Sequence, residues 1–174
     1  RISPDDFLTD VNNPGDSAMT LKELFFESLR YSVNYMLDPY GEHNYMGMFL
    51  PTRDDKIAGR ADWKIAETSS QVSAFINTWM CSCTITFSPE AEKLKIGNSR
   101  GSATKLIILL NELTINVFKA LAATPMKERR FSFAASIDGS RLTMELVNTY
   151  KYENSSTGYG KVIVGNIVNG FQGD

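Results

Sequence analysis

The residues best suited to chemistry lie on one predicted helix in the second half of the chain. Glu112 and Asn116 are four residues apart, so they project from the same side of a helix, and Lys119 follows three residues later. A carboxylate and an amide oxygen in that arrangement suit a hard cation such as Mg²⁺, which prefers oxygen ligands. The alternative interpretation is the solvated polar face of an amphipathic helix, which is the commoner meaning of such a pattern.

A second candidate for chemistry is a glycine loop near the end of the chain. Gly158, Tyr159, Gly160 and Lys161 stand before a predicted helix that extends to Val168. Glycine lets the backbone approach an anion closely, and a helix start supplies free N–H groups, so this loop suits phosphate. A flexible turn is the alternative, because a single Gly-x-Gly is neither the dinucleotide fingerprint nor a P-loop with a hydroxyl after its lysine.

Hydrophobic periodicity and turn signals predict the elements that position these residues. The segment 1–17 is predicted to be irregular, and 38–61 is predicted to be a loop-rich insert or a domain junction. Asp138 and Gly139 predict a tight hairpin, since type I′ turns need residues that tolerate positive φ. The other predicted elements are helices at 21–37, 65–78, 103–123 and 161–168, strands at 79–87, 129–137 and 141–147, and a short extended piece at 93–96.

Composition limits the class of protein. The chain has 174 residues, enough for one sizeable hydrophobic core. Its net charge of -2 gives no general field to attract a nucleic-acid backbone or an anionic membrane, and its apolar runs are too short to span a bilayer. A lone histidine, with Cys81 and Cys83, cannot complete a zinc site of Cys and His, and a disulfide between these two cysteines would strain a strand. A cytoplasmic, mixed α/β domain that contacts neither nucleic acid nor membrane is therefore expected.

The order of these motifs resembles one known family. The predicted helix contains LLNELTINVFKA at 109–120, and a hairpin that ends in Val147 and Asn148 follows it. After a short polar loop comes STGYGKVIVGNIV at 156–168. These stretches look like the asparagine box and the second glycine box of the histidine-kinase-like ATPase superfamily. Over 74–174 the chain is most similar to the catalytic ATP-binding domain of a sensor histidine kinase that lacks the first glycine box.

The resemblance implies a fold and a division of the chain. The fold would be the Bergerat-type ATP-binding fold, an α/β (α+β) two-layer sandwich of helices on a mixed β-sheet. A helical and irregular lead-in would occupy 1–62, and the ATP-binding domain would occupy 63–174. In the family, one or two further strands complete the sheet, and they would follow Asp174.

The resemblance also implies roles for particular residues. Asn116 would coordinate Mg²⁺, and Glu112 would be the catalytic residue that orients the metal-bound water or the phosphoryl acceptor. Asn148 would meet the adenine edge. The other implied cofactor-binding residues are Lys119, Gly158, Tyr159, Gly160 and Lys161. The implied cofactors are ATP and Mg²⁺, the reaction is phosphoryl transfer or ATP hydrolysis, and the partner is a second copy of the chain or another protein such as a response regulator.

Two features depart from the family pattern. Most members carry Asp-x-Gly-x-Gly where this chain has Asn148 and no glycine, although an amide can still accept a hydrogen bond from an exocyclic amine. The single histidine, His43, has turn-like flanks, which favours a surface or loop histidine over a phosphoacceptor.

Two alternatives therefore stay open. One is a degenerate, non-catalytic copy of the fold that acts as a protein-interaction or regulatory module, and the other is an unrelated α/β domain whose motifs coincide.

Overall fold

A computed structural model describes residues 4–150, which form helices and two small β-sheets. In chain order the elements are α1 (Pro4–Asn12), β1 (Met19–Thr20), α2 (Leu21–Met36), α3 (Tyr45–Phe49), α4 (Arg53–Lys64), α5 (Ser69–Trp79), β2 (Ser82–Phe87), α6 (Pro89–Lys93), β3 (Lys95–Ile96), α7 (Ser102–Ala122), a 3₁₀ turn (Met126–Glu128), β4 (Arg130–Asp138) and β5 (Arg141–Asn148). The α+β class is thereby confirmed, while the Bergerat topology stays a prediction. The predicted glycine loop and the helix at 161–168 lie outside the described residues.

The larger sheet has the order β2-β4-β5, with β2 parallel to β4 and β4 antiparallel to β5. The predicted hairpin is confirmed, since Asp138 pairs with Arg141 and Gly139 has a φ of 58° at the turn. Side chains alternate between the two faces of the sheet. One face of β4 is buried through Phe131, Phe133 and Ala135, whereas the serines and threonines of the opposite face are exposed. Within residues 4–150, the helices therefore cover one face of the sheet and leave the other exposed.

The helices α2 and α7 cover the buried face of this sheet. Phe25 of α2 stacks on Phe133 with 3.7 Å between ring centroids, and Phe118 of α7 contacts Phe131 at 6.2 Å. Between the two helices, the hydroxyls of Ser32 and Thr114 are hydrogen bonded at 2.6 Å. The helix α2 belongs to the predicted lead-in and α7 to the predicted ATP-binding domain, yet both contribute to one core. The boundary at residue 62 itself stays a prediction.

The start of α7 is held by a side chain from the other end of the chain. Its N-cap, Gly101, has a φ of 84° and no side chain to accept the first N–H groups. The buried carboxylate of Asp10 takes that place. It accepts hydrogen bonds from the backbone N–H groups of Arg100 and Ser102 at 3.1 Å and from the hydroxyl of Ser99. The segment predicted to be irregular thus contains α1 and anchors the longest described helix.

Where helices differ from the sequence predictions, their caps explain the difference. The loop-rich insert predicted at 38–61 contains α3 and most of α4, so that prediction is wrong. Most of α4 is exposed and Gly59 is its one buried residue, so few large apolar residues mark this helix. A capping box that joins Thr52 and Asp55 marks its start. The helix predicted at 65–78 begins at Ser69, because Thr68 and Gln71 form another capping box.

Candidate functional site

The polar side of α7 carries two side chains that have no structural role in the described part of the chain. Glu112 is half-buried and Asn116 is exposed. Within residues 4–150, neither side chain makes a hydrogen bond or an ion pair. Asn is a mediocre helix former in mid-helix, so the fold gains nothing local from Asn116. Two neighbouring side chains with oxygen atoms therefore have no partner among the residues that the structure describes.

Lys119 lies on the same side of α7 but is held by α2. Its ammonium lies 5.3 Å from the ring centroid of Tyr35. The ring of Tyr35 in turn contacts Tyr45, with 6.3 Å between centroids. The sequence gives no signal for this neighbour, because Tyr35 and Lys119 are far apart in the chain and meet only through the packing of α2 on α7.

Asn148 is the last residue of β5, and it lies on the sheet face that the helices cover. It pairs with Phe131, and it shares its face with Leu142 and Leu146, which pack against the core. Its Nδ2 donates a hydrogen bond to the carbonyl of Thr149 at 2.8 Å, which leaves its side-chain oxygen available as an acceptor. The helix α7 contacts β5, so Asn148 lies in the strand next to the helix that carries the polar residues.

The other candidates for chemistry are separate from this polar side. Gly158, Tyr159, Gly160 and Lys161 lie outside the described residues. His43 is exposed in the turn before α3, as its flanks predicted, and its ring lies 5.3 Å from that of Tyr45. Among residues 4–150, no three His, Cys, Asp or Glu side chains converge on a point where they could hold a metal.

The two cysteines are free thiols. Burial raises the pKa of each to about 12, and the neighbouring Cys83 contributes to the shift at Cys81. A thiol with so high a pKa is a poor nucleophile at neutral pH, because the thiolate is the reactive form. Cys81 and Cys83 are therefore poor candidates for nucleophilic catalysis.

Two concave regions of the described surface lie between α2 and α5, away from the polar side of α7. The first has a volume of about 290 Å³ and reaches the outer edge of β2, and the second has a volume of about 510 Å³. Phe26 and Ser69 line both of them, so they form one groove. Of the sequence-predicted site residues within 4–150, none lines this groove, and the sequence offered no signal for it.

Comparison with known proteins finds no protein family, no curated protein and no solved structure that matches this chain. Within the described residues, no helix combines the length and the apolar character that crossing a bilayer requires. Function is therefore inferred from the chain's own residues and from the resemblance of its motifs.

Proposed function

We propose that the chain is an ATP-binding domain of the histidine-kinase-like type, which uses Mg²⁺ and supports phosphoryl transfer or ATP hydrolysis. The observation that carries the proposal is the pair Glu112 and Asn116, two unengaged oxygen donors one helical turn apart on α7. The motif order supports it, since the hairpin that follows α7 ends with Asn148 on the sheet face that the helices cover.

The side-chain oxygens of Glu112 and Asn116 suit Mg²⁺ as part of its ligand shell. Asn116 offers an amide oxygen and Glu112 a carboxylate, both hard ligands of the kind that Mg²⁺ accepts. Because no cluster of three His, Cys, Asp or Glu exists among residues 4–150, the ion's other ligands would be water and the phosphates of the nucleotide. Magnesium bound there would neutralise phosphate charge, which supplies much of the catalysis in phosphoryl transfer.

The remaining roles belong to the chain's own side chains. Lys119 would place its ammonium near the phosphates, and the oxygen of Asn148 would accept a hydrogen bond from the adenine amino group. Glu112 would orient the attacking water or acceptor. Gly158, Tyr159, Gly160 and Lys161 complete the proposed site through the resemblance alone.

The test is the change Asn116→Ala in the full chain. The exposed Asn116 makes no contact that the fold needs, so the melting temperature should stay the same. The magnesium-dependent part of ATP affinity should fall at least about tenfold, as expected when a metal ligand or its support is removed. Titration calorimetry with ATP, with and without Mg²⁺, measures this. Ile108→Ala, also exposed on α7, is the matched control. Equal magnesium dependence in wild type and Asn116→Ala would contradict the proposal.

A second candidate function is a non-catalytic copy of the same fold that binds other proteins. It is favoured by Asn148, which stands without the glycines of the family pattern and whose amide nitrogen is already bonded to Thr149. ATP binding separates the two candidates. A ligand at one hundred times its Kd stabilises a protein by about 2.7 kcal/mol, which raises the melting temperature of a domain of this size by about 5–10 °C. No shift at millimolar Mg²⁺-ATP would leave only the second candidate.

A further inference from the structure

The outer edge of β2 is a strand edge that is only partly covered. Ser82 and Ser88 donate their N–H groups to Arg129 and Ala135 on the β4 side, at 3.1 and 2.9 Å. In a parallel ladder the alternate residues point the other way, so the backbone groups of residues 83, 85 and 87 face outward. Unpaired strand edges of this kind are ready to bind another strand.

A side chain from α5 covers the first of these outward positions. The amide of Asn77 accepts a hydrogen bond from the N–H of Cys83 at 2.9 Å and donates one to its carbonyl at 3.2 Å. This is the pattern that a neighbouring strand would make. The backbone groups of Ile85 and Phe87 have no such partner within residues 4–150. The edge is therefore closed at one end and open along its last part.

The open part of the edge forms one wall of the groove between α2 and α5. Ile85 and Phe87 line its 290 Å³ portion, with Phe26 as an apolar contact and Ser69 and Ser73 on the facing wall. Unlike a bare sheet edge, this one has a shaped cavity beside it. An extended peptide that paired with the edge could also bury an apolar side chain against Phe26.

We propose that this groove binds an extended segment of a partner protein, which adds as a strand to the outer edge of β2 at Ile85 and Phe87. The segment carries β-branched residues at alternate positions and a basic residue at its flank. The backbone of β2 supplies the hydrogen bonds, and the groove selects the side chains.

The charges around the groove are the reason to expect a basic residue at the flank of the partner segment. Beside Ile85 and Phe87, Lys22 and Glu92 neutralise each other at 2.5 Å. The 510 Å³ portion is lined by three carboxylates and one guanidinium, those of Glu23, Glu27, Glu67 and Arg30. The Arg30 guanidinium donates to the carbonyl of Ala66 at 2.6 Å, and its Nε lies 3.9 Å from the carboxylate of Glu27. The carboxylate of Glu23 accepts hydrogen bonds from Thr20, so Glu67 is the rim carboxylate without a side-chain partner in the described part. Carboxylates outnumber the guanidinium on this rim by three to one, so a basic partner segment fits it.

Two synthetic peptides test the proposal on the full chain. One is acetyl-Lys-Thr-Val-Thr-Val-Thr-Lys-amide, and the other has glutamate in place of both lysines. In amide NMR spectra, the basic peptide should shift the resonances of Ile85 and Phe87. It should also slow hydrogen exchange at these two amides at least tenfold. The acidic peptide should bind several-fold more weakly.

Charge reversal and steric blocking sharpen the result. Glu67→Lys should weaken the basic peptide about fivefold and strengthen the acidic one, as a rim charge contributes about 1 kcal/mol. Glu145→Lys, on the exposed face of β5, is the matched control and should change neither affinity. Ser73→Phe fills the groove and should abolish binding, whereas Ala74→Phe on the exposed side of α5 should not.

Three outcomes would each overturn the proposal. The first is the absence of any shift at millimolar peptide. The second is equal affinity for the two peptides. The third is a set of shifts that maps to the outer edge of β5 instead of Ile85 and Phe87. None of these outcomes depends on ATP binding.

Discussion

Replacing Asp10 by asparagine should destabilise the protein strongly, although α1 lies at the edge of the described structure. The Asp10 carboxylate is buried and accepts hydrogen bonds from Ser99, Arg100 and Ser102 at the start of α7. The N-cap residue, Gly101, has no side chain, and the one other cap among the described residues is the Asn98 side-chain oxygen, which accepts the N–H of Thr104 at 3.0 Å. Asparagine has the same shape but turns an NH₂ group toward N–H donors and removes the charge that favours a helix N-terminus.

The expected loss follows from these contacts. An N-cap side chain contributes about 1–2 kcal/mol to the free energy of unfolding. A hydrogen bond to a charged group contributes about 1.5–3 kcal/mol when its geometry is good. The substituted amide would keep one acceptor oxygen, so we expect Asp10→Asn to lower the free energy of unfolding by about 2–3 kcal/mol. For a domain of this size that corresponds to a fall in melting temperature of about 5–10 °C. Chemical denaturation at neutral pH measures the difference, and Asp16→Asn, an exposed aspartate, is the control.

The pH dependence of this difference provides a second check. Burial raises the pKa of Asp10, but the hydrogen bonds from Ser99, Ser102 and the backbone outweigh it, so the net pKa lies below the ordinary value of 3.8. A lowered pKa in the folded state stabilises the fold above the pKa of the unfolded state, and this contribution is lost as pH falls through the folded value. The gap between wild type and Asp10→Asn should therefore narrow from pH 5 to pH 3. A gap that stays constant over this range, or is absent at pH 7, would refute this account of how α7 begins.

Three further outcomes follow from close contacts and burial. Gly97→Ala should lower the free energy of unfolding by about 1–3 kcal/mol in chemical denaturation, because the Cβ of the alanine would lie 2.5 Å from the backbone oxygen of Pro14. Gly41→Ala, where the Cβ meets only ordinary contacts, should be nearly neutral. Arg129→Lys should lower the free energy of unfolding by about 2 kcal/mol by the same measurement. One ammonium cannot replace a buried guanidinium that donates to the carbonyls of Thr124, Met48 and Ala122. An unchanged denaturation midpoint would show that these hydrogen bonds contribute little. Cys81 and Cys83 should react with iodoacetamide at pH 8 at least about a hundredfold more slowly in the folded than in the unfolded chain, and equal rates would contradict the raised pKa values.

Long elements with one apolar face were predictable from the sequence because their signals are local. The helix predicted at 103–123 is Ser102–Ala122, and the one predicted at 21–37 is Leu21–Met36. In both, apolar residues recur at spacings of three and four, and a buried face fixes the period. The hairpin was equally predictable, since Asp138 and Gly139 favour one turn type whatever the tertiary context.

The elements that were missed depend on contacts that hydropathy does not encode. The helix α4 is held at its start by a hydrogen-bonding pair, Thr52 with Asp55, and buries little of its own surface. The role of Asp10 needs the chain to return to the same place after about 90 residues, which no local pattern announces. The edge cover by Asn77 is likewise a tertiary contact. Asp10 and Asn77 look the same in sequence as solvated polar residues, whereas Thr52 and Asp55 have the local spacing of a capping box.

The contact between Lys119 and Tyr35 shows how such a tertiary neighbour bears on the proposed site. An exposed cation–π contact contributes about 0.5–1 kcal/mol, whereas a charge-assisted hydrogen bond contributes about 1.5–3. A phosphate near Asn116 would therefore compete successfully with the ring for the ammonium of Lys119. Since no described carboxylate pairs with Lys119, its charge is not neutralised within residues 4–150. The sequence motif places a lysine near Asn116, but the packing of α2 on α7 determines that this lysine contacts Tyr35.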